Sequence, residues 1–395
     1  MGGWRVGYMG TSFMGSSGTD IYGADLASQE DEQSMKLTPG TDEKAPGKEP
    51  LAAPAASQRS GLGSWQLWIG IVFSLGFLWL ALYHVDLRET ASALRRVNVL
   101  ILSAAVVSYV LSATVDAIRW QLLLAARKAP PFSRAFSVSS VGVMMNAFLP
   151  ARLGDFARAY LMGEAEADSK VYVLGTVVME KVADLLFLLL SLMLLLWKVA
   201  SPEWLAGSAR GMALVLAILV PSLVLLAWQR DFFLRMVERT SRFVPSVWRE
   251  WLVRQTRSGL ASLDVVHRPR LLIGVFGCSL VAWILSVLTN YLVFLALELA
   301  LPVWASLLVL VVLQVGIAVP SSPGRIGVFQ YLVILALSIF AVDKNVALGY
   351  SIVLYLVIYV PIVLIGSYCF WREKVTWQKV AEAAAMLNRL GNRTR

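Results

Sequence analysis

The sequence predicts an all-α polytopic membrane protein, and three observations predict it. Of its 395 residues, 57% are apolar and only 15% are charged, against about 25% charged in soluble globular chains. The apolar residues stand in long blocks, several of which reach the roughly 20 residues that a helix needs to cross a bilayer core. The basic residues behind the formal charge of +9 fall between these blocks and at the C-terminal end, where they orient a membrane protein and form no stripe for nucleic acid. The two cysteines, Cys278 and Cys369, lie inside apolar blocks, and the two histidines, His84 and His267, lie in separate loops. Neither a disulfide framework nor a metal cluster can be built from them, so no metal and no cofactor are expected.

In chain order, residues 1–63 are rich in Gly, Ser, Pro and Ala without an apolar period and predict a disordered tail. The opening MGGWRVGYMGTSFMGSSGTD lacks the apolar core of a signal peptide. A membrane domain is expected over 64–370, with full spans at 65–83, 99–118, 171–197, 211–229, 271–298 and 346–370. Within it, the segment 230–270 interleaves aromatic and basic residues at helical spacing (FFLRMVERTSRFVPSVWREWLVRQTRSGL). That pattern predicts an interfacial amphipathic helix on an anionic leaflet, bent at Pro245. Residues 371–395 predict a cytoplasmic surface helix and tail.

Two further apolar blocks, 134–162 and 304–342, are interrupted. The interruptions read Pro150-Ala-Arg152-Leu-Gly154-Asp-Phe156 and Pro323-Gly-Arg325-Ile-Gly327-Val-Phe329, a shared P-[AG]-R-[LI]-G-x-F. The match predicts an internal repeat. Lys and Arg concentrate in 119–134, 230–270 and 371–395, which makes those segments and both chain ends cytoplasmic. The alternation closes only if each broken block crosses an even number of times, and re-entrant hairpins are favoured because the first break leaves halves too short to span. Three full spans separate the hairpins, so they enter from opposite sides. The expected architecture is therefore about six full transmembrane helices plus two re-entrant broken-helix hairpins forming an inverted repeat.

At each break a helix starts at membrane depth, with unpaired N–H groups and the positive end of a helix dipole. Arg152 and Arg158 at the first, and Arg325 with Ser321 and Ser322 at the second, add guanidinium forks and hydroxyls suited to a phosphate. Gly154 and Gly327 would admit a head group close to the backbone. The alternative is that Arg152 and Arg158 snorkel to the interface with Asp155 as helix cap. In the span 171–197, Glu180 and Asp184 share a helix face, with Lys181 about 100° away. Charges at bilayer depth should face the interior, where this pair holds the arginines in an ion-pair network or carries protons or a cation. Asp116 with Arg119 reads as a snorkelling pair closing the span 99–118. Asn146, Asn290, Gln314 and Gln330 are intramembrane amides whose default is helix-to-helix hydrogen bonding.

No P-loop, HExxH or GxSxG motif is present, so the chain is not expected to be an enzyme. The stretches NAFLPARLGDFARAYLM, VVMEKVADLLFLLL and VPSSPGRIGVFQYLV, in that order, resemble the lysylphosphatidylglycerol synthase transmembrane-region family, also described as flippase-like integral membrane proteins. The resemblance covers about residues 65–370. It implies an integral protein of the inner or plasma membrane and a region that translocates lipid. It places Arg152, Gly154, Asp155, Arg158, Glu180, Asp184, Pro323, Gly324, Arg325 and Gly327 on the family pattern. Those synthases carry a soluble aminoacyltransferase domain after the membrane region, whereas a short tail follows here, so lysine transfer is not expected. Stand-alone members look like partners of glycosyl-lipid, polyprenyl-phosphate or hopanoid pathways. The leading expectation is a flippase or transporter of a phosphate-bearing lipid or lipid-linked intermediate, with anionic membrane lipids as partners. The alternatives are a membrane subunit that docks a glycosyltransferase or lipid-modifying enzyme, and an ion-coupled transporter of a small anion.

Overall fold

The computed structural model describes residue 72 and residues 75–83, 97–149, 152–198, 203–241, 246–316 and 323–375, all within the unit Ser60–Arg395. The tail expected at 1–63, most of the span expected at 65–83, the bend at Pro245 and the segment after 375 lie outside the described residues. Every regular element among the described residues is helical, and the chain is a polytopic membrane protein.

Helix α1 (Val99–Leu124) begins at Asn98, whose side chain accepts hydrogen bonds from the Leu100 and Ile101 N–H groups at 3.1 and 3.2 Å. It lies along α8 (Pro269–Ala296), which starts with proline at its first position. Between helices in lipid the hydrophobic effect offers little, so small residues and hydroxyls make the contact. Ser108 Oγ donates to the Leu285 carbonyl at 3.0 Å, Ser112 Oγ to the Ala282 carbonyl at 3.1 Å, and Thr289 Oγ1 to Ser108 Oγ at 3.1 Å. With α11 (Lys344–Arg372), these are the helices both long and apolar enough to cross a bilayer among the described residues.

The first interrupted block forms α2 (Phe132–Phe148) and α3 (Leu153–Ala165), of 17 and 13 residues. The second forms α9 (Val303–Gly316) and α10 (Val328–Ser338), of 14 and 11 residues. At ~1.5 Å per residue these helices are ~17–26 Å long, short of the ~30 Å hydrocarbon core. Between the blocks, α4 (Lys170–Lys198) has 29 residues and carries Glu180, Lys181 and Asp184 mid-length. Helix α5 (Glu203–Trp228) follows, with Pro221 inside it.

The basic segment forms two helices, α6 (Arg230–Thr240) and α7 (Ser246–Ala261), then a 3-10 turn, Ser262–His267. The two helices pack together, with Arg230 paired to Asp264 at 2.9 Å, and α7 with the turn packs on α4. Phe232 and Met236 remain exposed on α6, as an interfacial helix requires.

Two apolar cores flank the middle of the molecule. One gathers Trp120, Val138, Met145, Met162, Tyr172 and Val275 around α2 and α3. The other gathers Leu192, Phe294, Leu308, Val333, Tyr350 and Leu354 around α9 and α10. On the outside, Ile273 and Leu364 expose 72% and 66% of their surface, which suits a lipid-facing belt and would be costly in water.

Candidate functional site

Both interruptions place an arginine in left-handed backbone, Arg152 at φ 54° and Arg325 at φ 55°. For a residue with a Cβ this conformation costs roughly 1–2 kcal/mol, so neighbouring contacts must impose it. On the first side α3 starts at once, with Arg152 as its N-cap. On the second, a 3-10 turn at Pro323–Arg325 and two further left-handed residues, Gly324 (φ 76°) and Gly327 (φ 90°), delay the helix to Val328. The Tyr355 hydroxyl donates to the Gly324 carbonyl at 2.9 Å, and the Gly327 N–H donates to Gln330 Oε1 at 2.7 Å. The Gln330 amide oxygen thus caps its own helix, and the Gly327 N–H is already engaged.

Gly154 is buried by protein. A Cβ there would overlap the Gly142 carbonyl oxygen and the backbone of Asn146, so this glycine serves the close crossing of α2 and α3. Asn146 Nδ2 donates to Asp155 Oδ1 at 3.0 Å across the same hairpin, while its Oδ1 is buried without a partner. Asp155 sits in the first turn of α3, where its charge complements the helix dipole.

Beneath the first hairpin lies a buried charge network. Arg158 is 3% exposed; its Nη2 donates to Glu180 Oε2 at 2.8 Å and its guanidinium lies 4.5 Å from the Trp120 ring centroid. Arg158 is therefore occupied by α4 and α1 and does not face open space. Arg119, expected to snorkel, is also 3% exposed, because α1 continues to Leu124 and carries it inward. It reaches Asp184 at 2.7 Å, Asp116 at 3.1 Å and Glu180 at 3.7 Å. Lys181, about 100° round the helix from the face that Glu180 and Asp184 share, nevertheless lies 3.5 Å from Glu180 and 3.6 Å from Asp184. Its long stem spans the 100° offset, and three cations meet three carboxylates, so the face carries no net negative charge.

Above this network a cavity of about 300 Å³ is lined by Asn146, Arg152, Asp155, Lys181, Asp184, Leu185, Leu188, Gln314 and Arg325. It gathers the arginines of both breaks and the exposed side of the α4 charges. Gly154, Arg158, Glu180, Gly324 and Gly327 are not among its lining residues, and Ser321 and Ser322 lie outside the described residues. A second cavity of about 280 Å³ adjoins it, sharing Asn146, Gln314 and Arg325. Its remaining lining is mostly apolar, including Val143, Leu310, Leu313, Phe329, Leu332 and Ile362. Reading the sequence missed Arg119 and Asp116 as members of the network, and missed Tyr355 and Tyr359, whose rings stack 4.0 Å apart beside Phe329. The available signal for Asp116 and Arg119 was the largely apolar stretch that follows them, WQLLL, which places them inside a helix and not at its end.

At the loop joining α3 to α4, Glu166 pairs with Lys128 at 3.0 Å and with Arg134, and Arg127 pairs with Asp168 at 2.8 Å. The Lys128 hydrogen bond, aided by Arg134, holds the Glu166 carboxyl below the usual carboxylate range. Among the described residues, no group of three His, Cys, Asp or Glu side chains is placed to hold a metal ion.

Comparison with known proteins places this architecture. The chain is 25% identical over 232 residues to a UPF0104 membrane protein of Methanocaldococcus jannaschii, a match covering 58% of this chain and 94% of the relative. No solved structure matches. Residues 67–366 match the family described as the lysylphosphatidylglycerol synthase TM region, which takes in both breaks, the α4 charges and both cavities. The chain belongs to that family of integral membrane proteins.

Proposed function

We propose that the cavity between the two breaks binds the phosphate-bearing head group of a lipid or lipid-linked intermediate, and that the chain moves this head group across the membrane. The observation that carries the reading is the junction of the two cavities at Arg325, Asn146 and Gln314. A cationic compartment suits a phosphate, and an apolar compartment beside it suits the first carbons of an acyl or prenyl chain. A free anion would need only the first compartment. Arg152 and Arg325 supply the bidentate donors, Lys181 adds charge, and Asn146 and Gln314 stand where phosphate gives way to carbon.

In this reading α2–α3 and α9–α10 are re-entrant hairpins that enter from opposite sides, and the short helix lengths support it. The domain runs over 64–370 as an inverted repeat, both ends and the basic helices α6 and α7 face the cytoplasm, and the chain performs no chemistry of its own. The lipid is of phospholipid, polyprenyl-phosphate sugar or hopanoid type. An enzyme that makes or consumes it is the natural partner.

The test is head-group translocation by the full chain in phosphatidylcholine liposomes carrying fluorescent phosphatidylglycerol, with bleaching of the outer leaflet. The protein should accelerate translocation over empty liposomes. Arg152→Ala and Arg325→Ala should each slow it about tenfold or more, the loss of one charge-assisted bond to phosphate, and Arg→Lys should rescue poorly. Uptake of free phosphate with no lipid movement would replace this reading with a small-anion carrier.

A further inference from the structure

We propose that Asp116 is a proton-binding site whose occupancy sets the positive charge offered to an anion in the Arg152–Arg325 cavity. The inference rests on the anion-binding reading of that cavity and names the ion coupled to it. A third cavity, of about 160 Å³, is lined by Asp116 together with Tyr109, Ser112, Ser139, Ser140 and Ser286. The Asp116 side chain is 42% exposed and that of Asp184, on the Arg152–Arg325 cavity, is 26% exposed, whereas Arg119 between them is 4% exposed. One buried guanidinium therefore bridges two carboxylates that open into two different cavities. Its Nε has no partner, and Ser279 Oγ, at 3.2 Å, is a weak lateral anchor.

The charge balance gives this bridge a function. With Asp116 ionised, Asp116, Glu180 and Asp184 offset Arg119, Arg158 and Lys181. A proton taken up by a carboxylate oxygen of Asp116 turns it into a neutral acid, and the cluster gains one positive charge. Arg119 then closes on Asp184 and Glu180, and those carboxylates hold Lys181 less firmly. Lys181 already has the longest pairings apart from the Arg119–Glu180 contact, at 3.5 and 3.6 Å, and it lines the cavity where the anion binds. Loss of the proton reverses each step. The other titratable groups facing Asp116 are Tyr109 on its own helix, Glu180, Lys181 and Asp184 on α4, and Cys278 on α8. Helix α2 contributes Ser139 and Ser140, and α11 contributes Pro361, Ile362 and Ile365, none of which titrates. By linkage, the proton tightens the anion and the anion tightens the proton by the same factor. Anion affinity therefore rises as pH falls.

The experiment uses the detergent-solubilised full chain in weak buffer, with dihexanoyl phosphatidylglycerol as probe because its phosphodiester does not titrate near neutrality. Binding should tighten about tenfold between roughly pH 8 and pH 5, with uptake of up to one proton per bound lipid. Asp116→Asn, which imitates the protonated acid, should bind with pH-independent affinity and take up no proton. Asp116→Glu keeps the carboxyl and should keep the uptake at a shifted pH, and it serves if the asparagine variant does not fold. Binding by the wild type without proton uptake, or uptake unchanged in Asp116→Asn, overturns the proposal. If the wild type does not bind the probe, the lipid reading fails by itself. Infrared spectroscopy then decides the proton site: a protonated-carboxyl band that titrates in the wild type and is missing from Asp116→Asn supports it, and no such band in the wild type overturns it.

Discussion

The two interrupted helices share a seven-residue pattern and a left-handed arginine, yet they are secured by opposite means. The first is held by charge. Its Arg158 is clasped by Glu180 and covered by Trp120, and behind them Arg119 ties α1 to α4. In the second, the position matching Arg158 is Tyr331, and support comes from Phe329, Tyr355 and Tyr359 with the Tyr355 hydroxyl on the Gly324 carbonyl. Local backbone shape thus follows from Pro, Gly and Arg, while the means of fixing it depends on the neighbouring helices. One half of the site is therefore sensitive to charge and the other to packing.

The largest expected effect comes from breaking the charged half. Glu180→Gln leaves Arg158 and part of Arg119 without a counter-ion and should cost about 3–5 kcal/mol, read as lowered resistance to unfolding in detergent. Asp184→Asn, at the exposed edge of the network, should leave the folded fraction near wild type while altering transport. Equal stability of the two variants would erase the distinction between a buried lock and a cavity wall. Next, Gly154→Ala drives a methyl into the α2 backbone and should cost about 1–3 kcal/mol or more, because a carbonyl cannot rotate away. Gly316→Ala meets only the Leu332 side chain and should cost less, so a reversed order in thermal unfolding would place the tight crossing in the wrong hairpin. Tyr355→Phe removes one hydrogen bond from the packed half and should cost about 0.5–1.5 kcal/mol. It should weaken transport as Arg325→Ala does, by letting the arginine swing.

The smallest effect belongs to Glu166, whose pairs are partly exposed. Because its folded pKa is depressed, its stabilisation is present above its unfolded value, about 4.3, and is lost as pH falls through the folded value. Glu166→Gln should therefore cost under about 1 kcal/mol at neutral pH and nothing in strong acid. A difference that persisted in acid would mean that packing, and not charge, makes this contact.

How much of this was legible in the sequence follows from the range of each interaction. Helix starts at Leu153 and Val328 lie within five residues of the Gly and Pro that set them. The α4 charges were expected to face inward because the bilayer leaves them no alternative. Partner choice was not legible. Arg119 and Asp184 are 65 residues apart, and although the residues after Arg119 place it inside a helix, nothing local names the carboxylate it meets. Gly154 was read as a ligand's approach and is instead the approach of a neighbouring helix, since both need a missing side chain. The Gln330 amide oxygen caps its own helix, a local option that only the delayed helix start reveals.

The left-handed arginines carry a consequence for protein engineering. At φ near 55°, glycine would be easier on the backbone than any residue with a Cβ, by about 1–2 kcal/mol. A screen that rewards only yield or thermal resistance should therefore drift toward glycine at 152 and 325, and would deliver a sturdier membrane protein whose proposed anion site has lost both guanidinium groups.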